Sequence, residues 1–140
     1  MIEAFETGFV NLSKKYSNFV ILHNDKIDLA LARNFSNFSF GISSKMPIYA
    51  ALGFSIRKKL PFVLCEAKDL INSYAVLKNL VCEPNVNIKF IVFTEDDSDL
   101  KSLEVLPNLK IFSPDTYEDI QKITEKMIDF FGPVCLRIKY

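Results

Sequence analysis

Short runs of consecutive apolar residues alternate along this chain with longer segments in which apolar residues recur every three or four positions. The runs are typical of strands buried on both faces of a parallel sheet. The spaced segments predict amphipathic helices, such as the one that places Ile2, Phe5, Phe9 and Leu12 on one face. The runs predict strands at residues 19–22, 61–65, 88–93 and 109–112, and alternating apolar residues predict strands at 38–40 and 134–139.

Residues that commonly start or end helices bound several of the spaced segments. Ser43 or Ser44 is a candidate cap for a helix with Pro47 in its first turn. Ser113-Pro114-Asp115 combines a hydroxyl cap, a proline at the first helical position and an acidic residue that favours the helix dipole. Gly132 marks the end of the last helix. The pattern predicts helices at residues 2–16, 27–32, 45–56, 67–81 and 114–131, with a short one before residue 106.

Six strands that alternate with helices predict one α/β domain over residues 1–140, with an open, mainly parallel sheet and helices on both faces. At its centre are a sharp turn at Gly41, the helix that follows it and the strand at 61–65. A turn that leads into a helix is where α/β proteins commonly hold ligands, because helix amides and strand ends converge on one crevice there. Gly53, in that helix, is expected to allow a neighbouring element to approach closely.

Charge and hydropathy narrow the classes of partner. The 17 basic and 17 acidic residues cancel, so we expect neither a nucleic-acid partner nor a membrane surface. The longest apolar run, at residues 48–56, is too short to span a bilayer, and the first residues are acidic where a signal peptide would be basic. We therefore expect a cytoplasmic protein.

Cysteine and histidine usage adds little chemistry. Cys65, Cys82 and Cys135 are odd in number and widely spaced, which favours reduced thiols in the core over disulfides. The single histidine, His23, has no cysteine or carboxylate at ligand spacing, so we expect no metal site. The thirteen phenylalanines fall mostly on predicted core faces, and some are candidates for a subunit interface.

An ordered set of short motifs carries a resemblance over nearly the whole chain. The chain resembles the pyrimidine-binding domain of transketolases and 1-deoxyxylulose-5-phosphate synthases, which are thiamine diphosphate enzymes. The motifs, at nearly the family's spacing, are Gly41-Ile42, Ala50-Ala51-Leu52-Gly53, Pro61-Phe62-Val63, Leu106-Pro107-Asn108-Leu109, Ser113-Pro114-Asp115 and Gly132-Pro133-Val134-Cys135-Leu136-Arg137.

The resemblance implies a cofactor site at the Gly41 turn, with four candidate residues. In the family the turn reads close to Gly-Ile-Ala-Glu-Gln, and its glutamate hydrogen-bonds the aminopyrimidine ring; here Ser44 stands at that position and cannot act as an acid. Glu66 and Asp69 stand where the family has aromatic residues that stack on the ring. Of the family's polar positions, the resemblance retains only Asp25, and the family's histidine-bearing loop is reduced to the acidic turn at 95–99.

Each candidate has two interpretations. Ser44 is a modified cofactor contact or a helix cap. Glu66 and Asp69 are a general acid/base pair in a new site, or solvated side chains where an aromatic slot once was. The segment His23-Asn24-Asp25 contacts a polar ligand at a strand end, or forms a turn whose side chains satisfy one another.

Three functions follow from the resemblance. The first is a catalytically degenerate, stand-alone domain that serves as an interaction or regulatory subunit. The second is one subunit of a split thiamine diphosphate-dependent transferase, and the third is a small-molecule binding module that reuses the crevice. The chain has no Gly-Asp-Gly motif, so we expect no cofactor for the isolated chain, and thiamine diphosphate with magnesium only with a partner subunit. The expected partner is a second copy, as a homodimer, or a chain with the diphosphate-binding domain.

Overall fold

The computed structural model describes residues 1–27 and 34–139. It contains the six predicted strands, each displaced by no more than two residues from its prediction. The helix predicted at 27–32 lies almost entirely outside the described residues. The strands are β1 (Phe19–His23), β2 (Asn37–Ser39), β3 (Leu60–Glu66), β4 (Lys89–Thr94), β5 (Lys110–Phe112) and β6 (Val134–Lys139).

The six strands form one sheet in the order β2-β1-β3-β4-β6-β5, and every pair is parallel. The predicted open, mainly parallel sheet is confirmed, and the described strands are parallel throughout. Parallel strands need crossover connections, and helices supply those after β2, β3 and β5. The helices of the described residues are α1 (Ile2–Ser13), α2 (Met46–Ile56), α3 (Ala67–Asn72), α4 (Tyr74–Val76), which continues as π-helical turns over Leu77–Cys82, and α5 (Tyr117–Lys126). Single 3-10 segments cover Asp97–Leu103 and Met127–Asp129.

Both faces of the sheet are covered, as predicted, because successive residues of each strand point to opposite sides. Helices α1 and α5 cover one face, and α2 and α3 with the turns after them cover the other. The strand side chains under α1 and α5 include Phe19, Ile21, Phe62, Leu64, Ile91 and Leu136. Those under α2 and α3 include Val20, Leu22, Val63, Cys65, Phe90 and Cys135. The thiols are free and buried, as expected.

The close helix contact involves a different glycine from the one predicted. A Cβ at Gly53 would meet nothing within 4 Å, so the prediction for Gly53 is wrong. At Gly8 of α1, a Cβ would lie 2.8 Å from Cβ of Thr124 and 2.9 Å from the carbonyl oxygen of Gln121. Gly8 therefore allows α1 and α5 to pack backbone against backbone.

The predicted start of the last helix is also wrong. Helix α5 begins at Tyr117, and its cap is Thr116, whose hydroxyl accepts a hydrogen bond from the amide of Asp119. Ser113-Pro114-Asp115 instead surrounds a buried cation from the neighbouring strand. Nη2 of Arg137 donates to the Pro114 carbonyl at 3.3 Å and to the Asp115 carboxylate at 2.8 Å.

Three further helix boundaries differ from prediction. Helix α5 ends at Lys126 instead of residue 131, with the 3-10 segment Met127–Asp129 after it. Helix α1 ends at Ser13 instead of residue 16. The helix predicted at 67–81 is interrupted at the buried Ser73. In the described part of the chain, no helix combines the length and the apolar content that crossing a membrane requires.

Candidate functional site

The candidate site lies at the carboxyl ends of β1 and β3. Strand β2 lies on one side of β1 and β3 on the other, so the order in which strands are added to the sheet changes direction at β1. Such a switch in strand order opens a crevice beyond the carboxyl ends of the strands, where open α/β sheets commonly hold ligands. Three segments meet here: residues 23–26 after β1, 39–44 after β2, and 66–73 after β3.

The Gly41 turn has the sharp geometry that the sequence predicts. Gly41 has a φ of +61°, in the left-handed region that glycine adopts without steric cost. Its carbonyl accepts a hydrogen bond from the amide of Asp25 at 2.7 Å, which ties the loop after β2 to the loop after β1. The hydroxyl of Ser43 accepts from the amide of Met46 at 3.1 Å. The cap residue of α2 is Lys45, which makes no side-chain cap bond, so Ser43 satisfies the first amide of the helix and Ser44 is left for another role.

The carboxylate of Asp69 is the common acceptor of the hydrogen bonds that join the crevice segments. It is 1% exposed, so the prediction of a solvated side chain is wrong for this residue. Oδ1 accepts from the hydroxyl of Ser44 at 2.7 Å and from the ammonium of Lys26 at 3.3 Å. Oδ2 accepts from the backbone amide of Glu66 at 3.1 Å and from the side-chain amide of Asn24 at 3.3 Å. Four donors from three separate segments therefore satisfy one buried carboxylate.

The local sequence explains how Asp69 reaches this position. Glu66 ends β3 and caps α3, and Asp69 is the third residue of that helix. The two form a capping box, in which each side chain accepts a hydrogen bond from the backbone amide of the other. The capping box turns Asp69 back toward the end of β3, where the segments after β1 and β2 converge on it.

These contacts also control the charge of Asp69. Burial by itself would raise its pKa, but hydrogen bonds from Ser44, the Glu66 amide and Lys26, together with the Lys26 charge, lower the pKa below its ordinary value. The carboxylate is therefore ionised at neutral pH and paired with Lys26. Asp69 is suited to holding the crevice together and unsuited to accepting a proton.

One of the four predicted site residues lies outside this cluster. Asp25 is exposed, and its carboxylate accepts from the hydroxyl of Ser39 at 2.6 Å. Glu66 joins the cluster through the capping box with Asp69, and as a half-buried residue it also lines a hollow of about 230 Å³ with Glu95 and Asp99, between the ends of β3 and β4. The structure thus brings Ser44, Glu66 and Asp69 together and leaves Asp25 apart from them.

Sequence reasoning missed the residues that complete the cluster. Asn24 lies in the predicted turn, where its side-chain oxygen accepts from the amide of Lys26, but it is 1% exposed and its side-chain amide donates to Asp69. Lys26 and Ser73 were not singled out; the hydroxyl of Ser73 donates to the carbonyl of Ser44 at 3.4 Å. The available signal was positional, since polar residues that directly follow two neighbouring parallel strands meet at one edge of the sheet.

Comparison with solved structures places the fold in one group. A split-gene transketolase, described as an inactive beta4 tetramer, superposes with a TM-score of 0.86 at 26% identity, over 99% of this chain and 50% of that one. A candidate thiamin diphosphate-dependent enzyme from Mycobacterium smegmatis gives 0.70 at 12% identity, over 97% of this chain and 31% of that one. Benzoylformate decarboxylase from Polynucleobacter necessarius gives 0.68 at 11% identity, over 96% of this chain and 32% of that one.

The chain therefore spans half of the length of the split-gene transketolase chain and about a third of the other two. No protein-family model matches the sequence, and the comparison with curated proteins gives no match. The resemblance that the motifs indicate is nevertheless confirmed by structure over almost the full chain. The chain is a transketolase-like domain with the fold of the pyrimidine-type domain of thiamine diphosphate enzymes.

Proposed function

We propose that this chain is a non-catalytic, transketolase-like pyrimidine-type domain that acts as an interaction or regulatory subunit. The observation that carries the proposal is the hydrogen bond between Ser44 and Asp69. The residue at the position of the family's glutamate donates to a carboxylate of its own chain. That carboxylate is in turn enclosed by Asn24, Lys26 and the Glu66 amide.

The residues of the crevice do not fit an aminopyrimidine ring. The resemblance calls for a carboxyl group at position 44 and for aromatic side chains after β3. Ser44 offers a hydroxyl that is already engaged, and Asp69 is 1% exposed with four donors around it. Glu66 presents a charged carboxylate where a ring would stack, and an ionised group is a poor stacking surface. The proposal therefore assigns no chemical step to the cofactor.

Calorimetric titration of the full chain with thiamine diphosphate and Mg²⁺ tests the proposal. We expect no saturable heat, because the crevice donors and acceptors are paired with one another. Saturable binding in the micromolar range would overturn it. In that case, the affinity of the variants Asp69→Asn and Asp129→Asn, the latter at an exposed carboxylate, locates the bound molecule. A molecule in the crevice should bind Asp69→Asn more weakly and Asp129→Asn as well as wild type.

An outward apolar surface supports the role of a subunit. On α2 and the loop before it, Ile42, Met46 and Tyr49 are 84%, 47% and 45% exposed. Exposed apolar groups that cluster on one helix commonly mark a protein interface. Light scattering of the chain at increasing concentration tests self-association, and a monomer at every concentration would argue against a homodimer.

The second candidate is one chain of a split thiamine diphosphate transferase. The specific observation in its favour is the 99% coverage of this chain by a protein described as a split-gene transketolase. The test mixes this chain with a co-encoded chain that carries a Gly-Asp-Gly motif, and measures complex formation and ketol transfer. Turnover that is lost with Asp69→Asn and kept with Asp129→Asn would favour this candidate; a complex without turnover favours the first.

A further inference from the structure

A second hollow lies at the opposite edge of the sheet, below the amino-terminal ends of the strands. It has a volume of about 510 Å³, which is more than twice that of the hollow beside Glu66 and is in the range of small-molecule sites. We call it the amino-edge groove. It is lined by residues that precede β1, β3, β4 and β6, among them Tyr16, Asn18, Ile56, Lys58, Lys59 and Phe131.

The groove has apolar walls that face solvent. Ile56 is 81% exposed and Phe131 is 75% exposed, and both are large side chains whose exposure is unfavourable in water. Tyr16 adds a third surface; its ring stacks on Phe19 with the centroids 6.4 Å apart. Covering Ile56 and Phe131 with an apolar body would bury surface that the folded chain leaves in water.

The wall that carries Phe131 is fixed from beneath by a buried cation. The ammonium of Lys89, a residue with no exposed surface, donates to the carbonyls of Phe130 and Gly132, the latter at 2.9 Å. The amide of Gly132 donates to the side-chain oxygen of Asn87 at 3.2 Å. Both neighbours of Phe131 are therefore anchored, so its ring is held outward without the entropy cost of ordering a loose loop.

The opposite wall is also fixed. Lys58 has a φ of +61°, an uncommon conformation for a residue other than glycine, asparagine or aspartate. The side-chain amide of Asn18 donates to the Lys58 carbonyl at 3.2 Å, and the Asn18 carbonyl accepts from the amide of Leu60 at 2.9 Å. The turn that presents Lys58 and Lys59 is thereby tied to the start of β1.

The charge of the groove has one sign. Lys58 and Lys59 line it, and none of its lining residues is acidic. Within residues 1–27 and 34–139, neither lysine makes an ion pair or a side-chain hydrogen bond. Lys89, which anchors the wall that carries Phe131, has neutral carbonyls as its hydrogen-bond partners. Burial lowers the pKa of Lys89 to about 8.

We propose that the amino-edge groove binds a small organic anion with an apolar body, with its carboxylate between Lys58 and Lys59 and its body against Ile56 and Phe131. The chemistry selects an anion because two lysines line the groove, neither has an ion-pair partner among the described residues, and no acidic residue lines it. It selects an apolar body because the walls are aromatic and aliphatic. The site is independent of the crevice at Asp69, which lies at the other edge of the sheet.

Titration of the isotope-labelled chain with 2-naphthoate, followed by amide NMR shifts, tests the proposal. We expect saturable shifts at Asn18, Lys59 and Phe131, and a dissociation constant below about 1 mM. The neutral analogue 2-naphthamide should bind about 10-fold more weakly, because it lacks the charge. Equal binding of the two probes, or shifts confined to other parts of the surface, would overturn the proposal.

Variants separate the contribution of the charge from that of the ring. The double variant Lys58→Asn with Lys59→Gln keeps a residue that tolerates positive φ at position 58 and should weaken naphthoate about 10-fold with little effect on naphthamide. Phe131→Ala should weaken both probes. Lys122→Gln, at a different hollow beside α5, is the matched control and should change neither. Naphthoate binding that survives the double variant would contradict the proposal, whatever the result of the thiamine diphosphate titration.

Discussion

The hydroxyl of Ser44 donates a 2.7 Å hydrogen bond to a carboxylate that is 1% exposed, that of Asp69. The two residues precede and follow β3, and neither position stands out in the sequence as a partner for the other. Because the acceptor is ionised and buried, the bond is of the strong, charge-assisted kind. It fixes the loop between Gly41 and α2 against the start of α3.

Replacement of Asp69 by Asn should destabilise the fold by about 3 kcal/mol, because Lys26 loses its buried counter-charge and an amide NH₂ is placed among donors. The free energy of unfolding, measured by urea denaturation at pH 7, gives the effect. Asp129→Asn, at an exposed carboxylate, should change stability by less than about 0.5 kcal/mol. Equal effects of the two variants would mean that the Asp69 cluster contributes nothing to stability.

The stability that Ser44 provides should depend on acid pH. The pKa of Asp69 is lowered in the folded state relative to its ordinary value of 3.8, so the associated stability is present above that value and is lost as the pH falls through the folded pKa. Ser44→Ala removes one of the bonds that lower the pKa. The difference in unfolding free energy between wild type and Ser44→Ala should therefore be largest near neutral pH and shrink toward pH 3. A difference that stays constant from pH 7 to pH 3 would contradict this assignment.

Lys89 should make stability rise with pH in the alkaline range, as Asp69 does in the acid range. Burial lowers its folded pKa from 10.5 to about 8, so between these values the unfolded chain binds more protons than the folded chain, and stability rises with pH. Relative to Lys89→Met, wild type should gain on the order of 3 kcal/mol from pH 7 to pH 10.5.

The comparison with Lys89→Met is needed because the buried thiols lower the stability of the fold as the pH rises. Burial raises the pKa of Cys82 to about 11 and that of Cys135 to about 12, which destabilises the fold at high pH in both proteins and cancels in the difference. The exposed Lys78→Met serves as the control for removal of a lysine elsewhere in the fold. A difference for Lys89→Met that does not change with pH would contradict the lowered pKa of Lys89.

Two alanine substitutions at helical glycines should act with opposite sign. Gly8→Ala would place a Cβ 2.8 Å from Thr124, so α1 and α5 must separate, at a cost of about 1–3 kcal/mol. Gly53→Ala meets nothing within 4 Å and should stabilise α2 by up to about 1 kcal/mol, because alanine favours the helical conformation. Thermal unfolding of both variants provides the measurement, and a loss of stability in Gly53→Ala would contradict the open environment of that residue.

The fold could be predicted from the sequence because its signals are local. A parallel sheet covered on both faces favours apolar strands, and each of the six segments predicted as strands is a strand, including the one that begins at the buried Lys89. The errors occurred where a distant residue decides the structure. Ser113-Pro114-Asp115 has the composition of a helix start, but its Asp115 carboxylate binds Arg137, which lies 22 residues further along the chain.

The sequence predicts where the site lies but not which residues form hydrogen bonds within it. The Gly41 turn and the strand ends located the crevice, since topology alone brings them together. A carboxylate that follows a strand resembles a solvated residue when its hydrogen-bond donors are unknown. The side-chain donors to Asp69 are Asn24, Lys26 and Ser44, which lie 45, 43 and 25 residues before it in the sequence. Only the folded chain shows that these groups meet.

These separations have a kinetic consequence for the Asp69 cluster. The carboxylate can lose its water only after β1, β2 and β3 have assembled, because each strand brings a different donor into place. Contacts that form late contribute little to the folding transition state, so their loss mainly accelerates unfolding. Stopped-flow measurements on Asp69→Asn should therefore show faster unfolding and an almost unchanged rate of refolding. In that case, the contacts of Asp69 determine how long the native state persists before it unfolds.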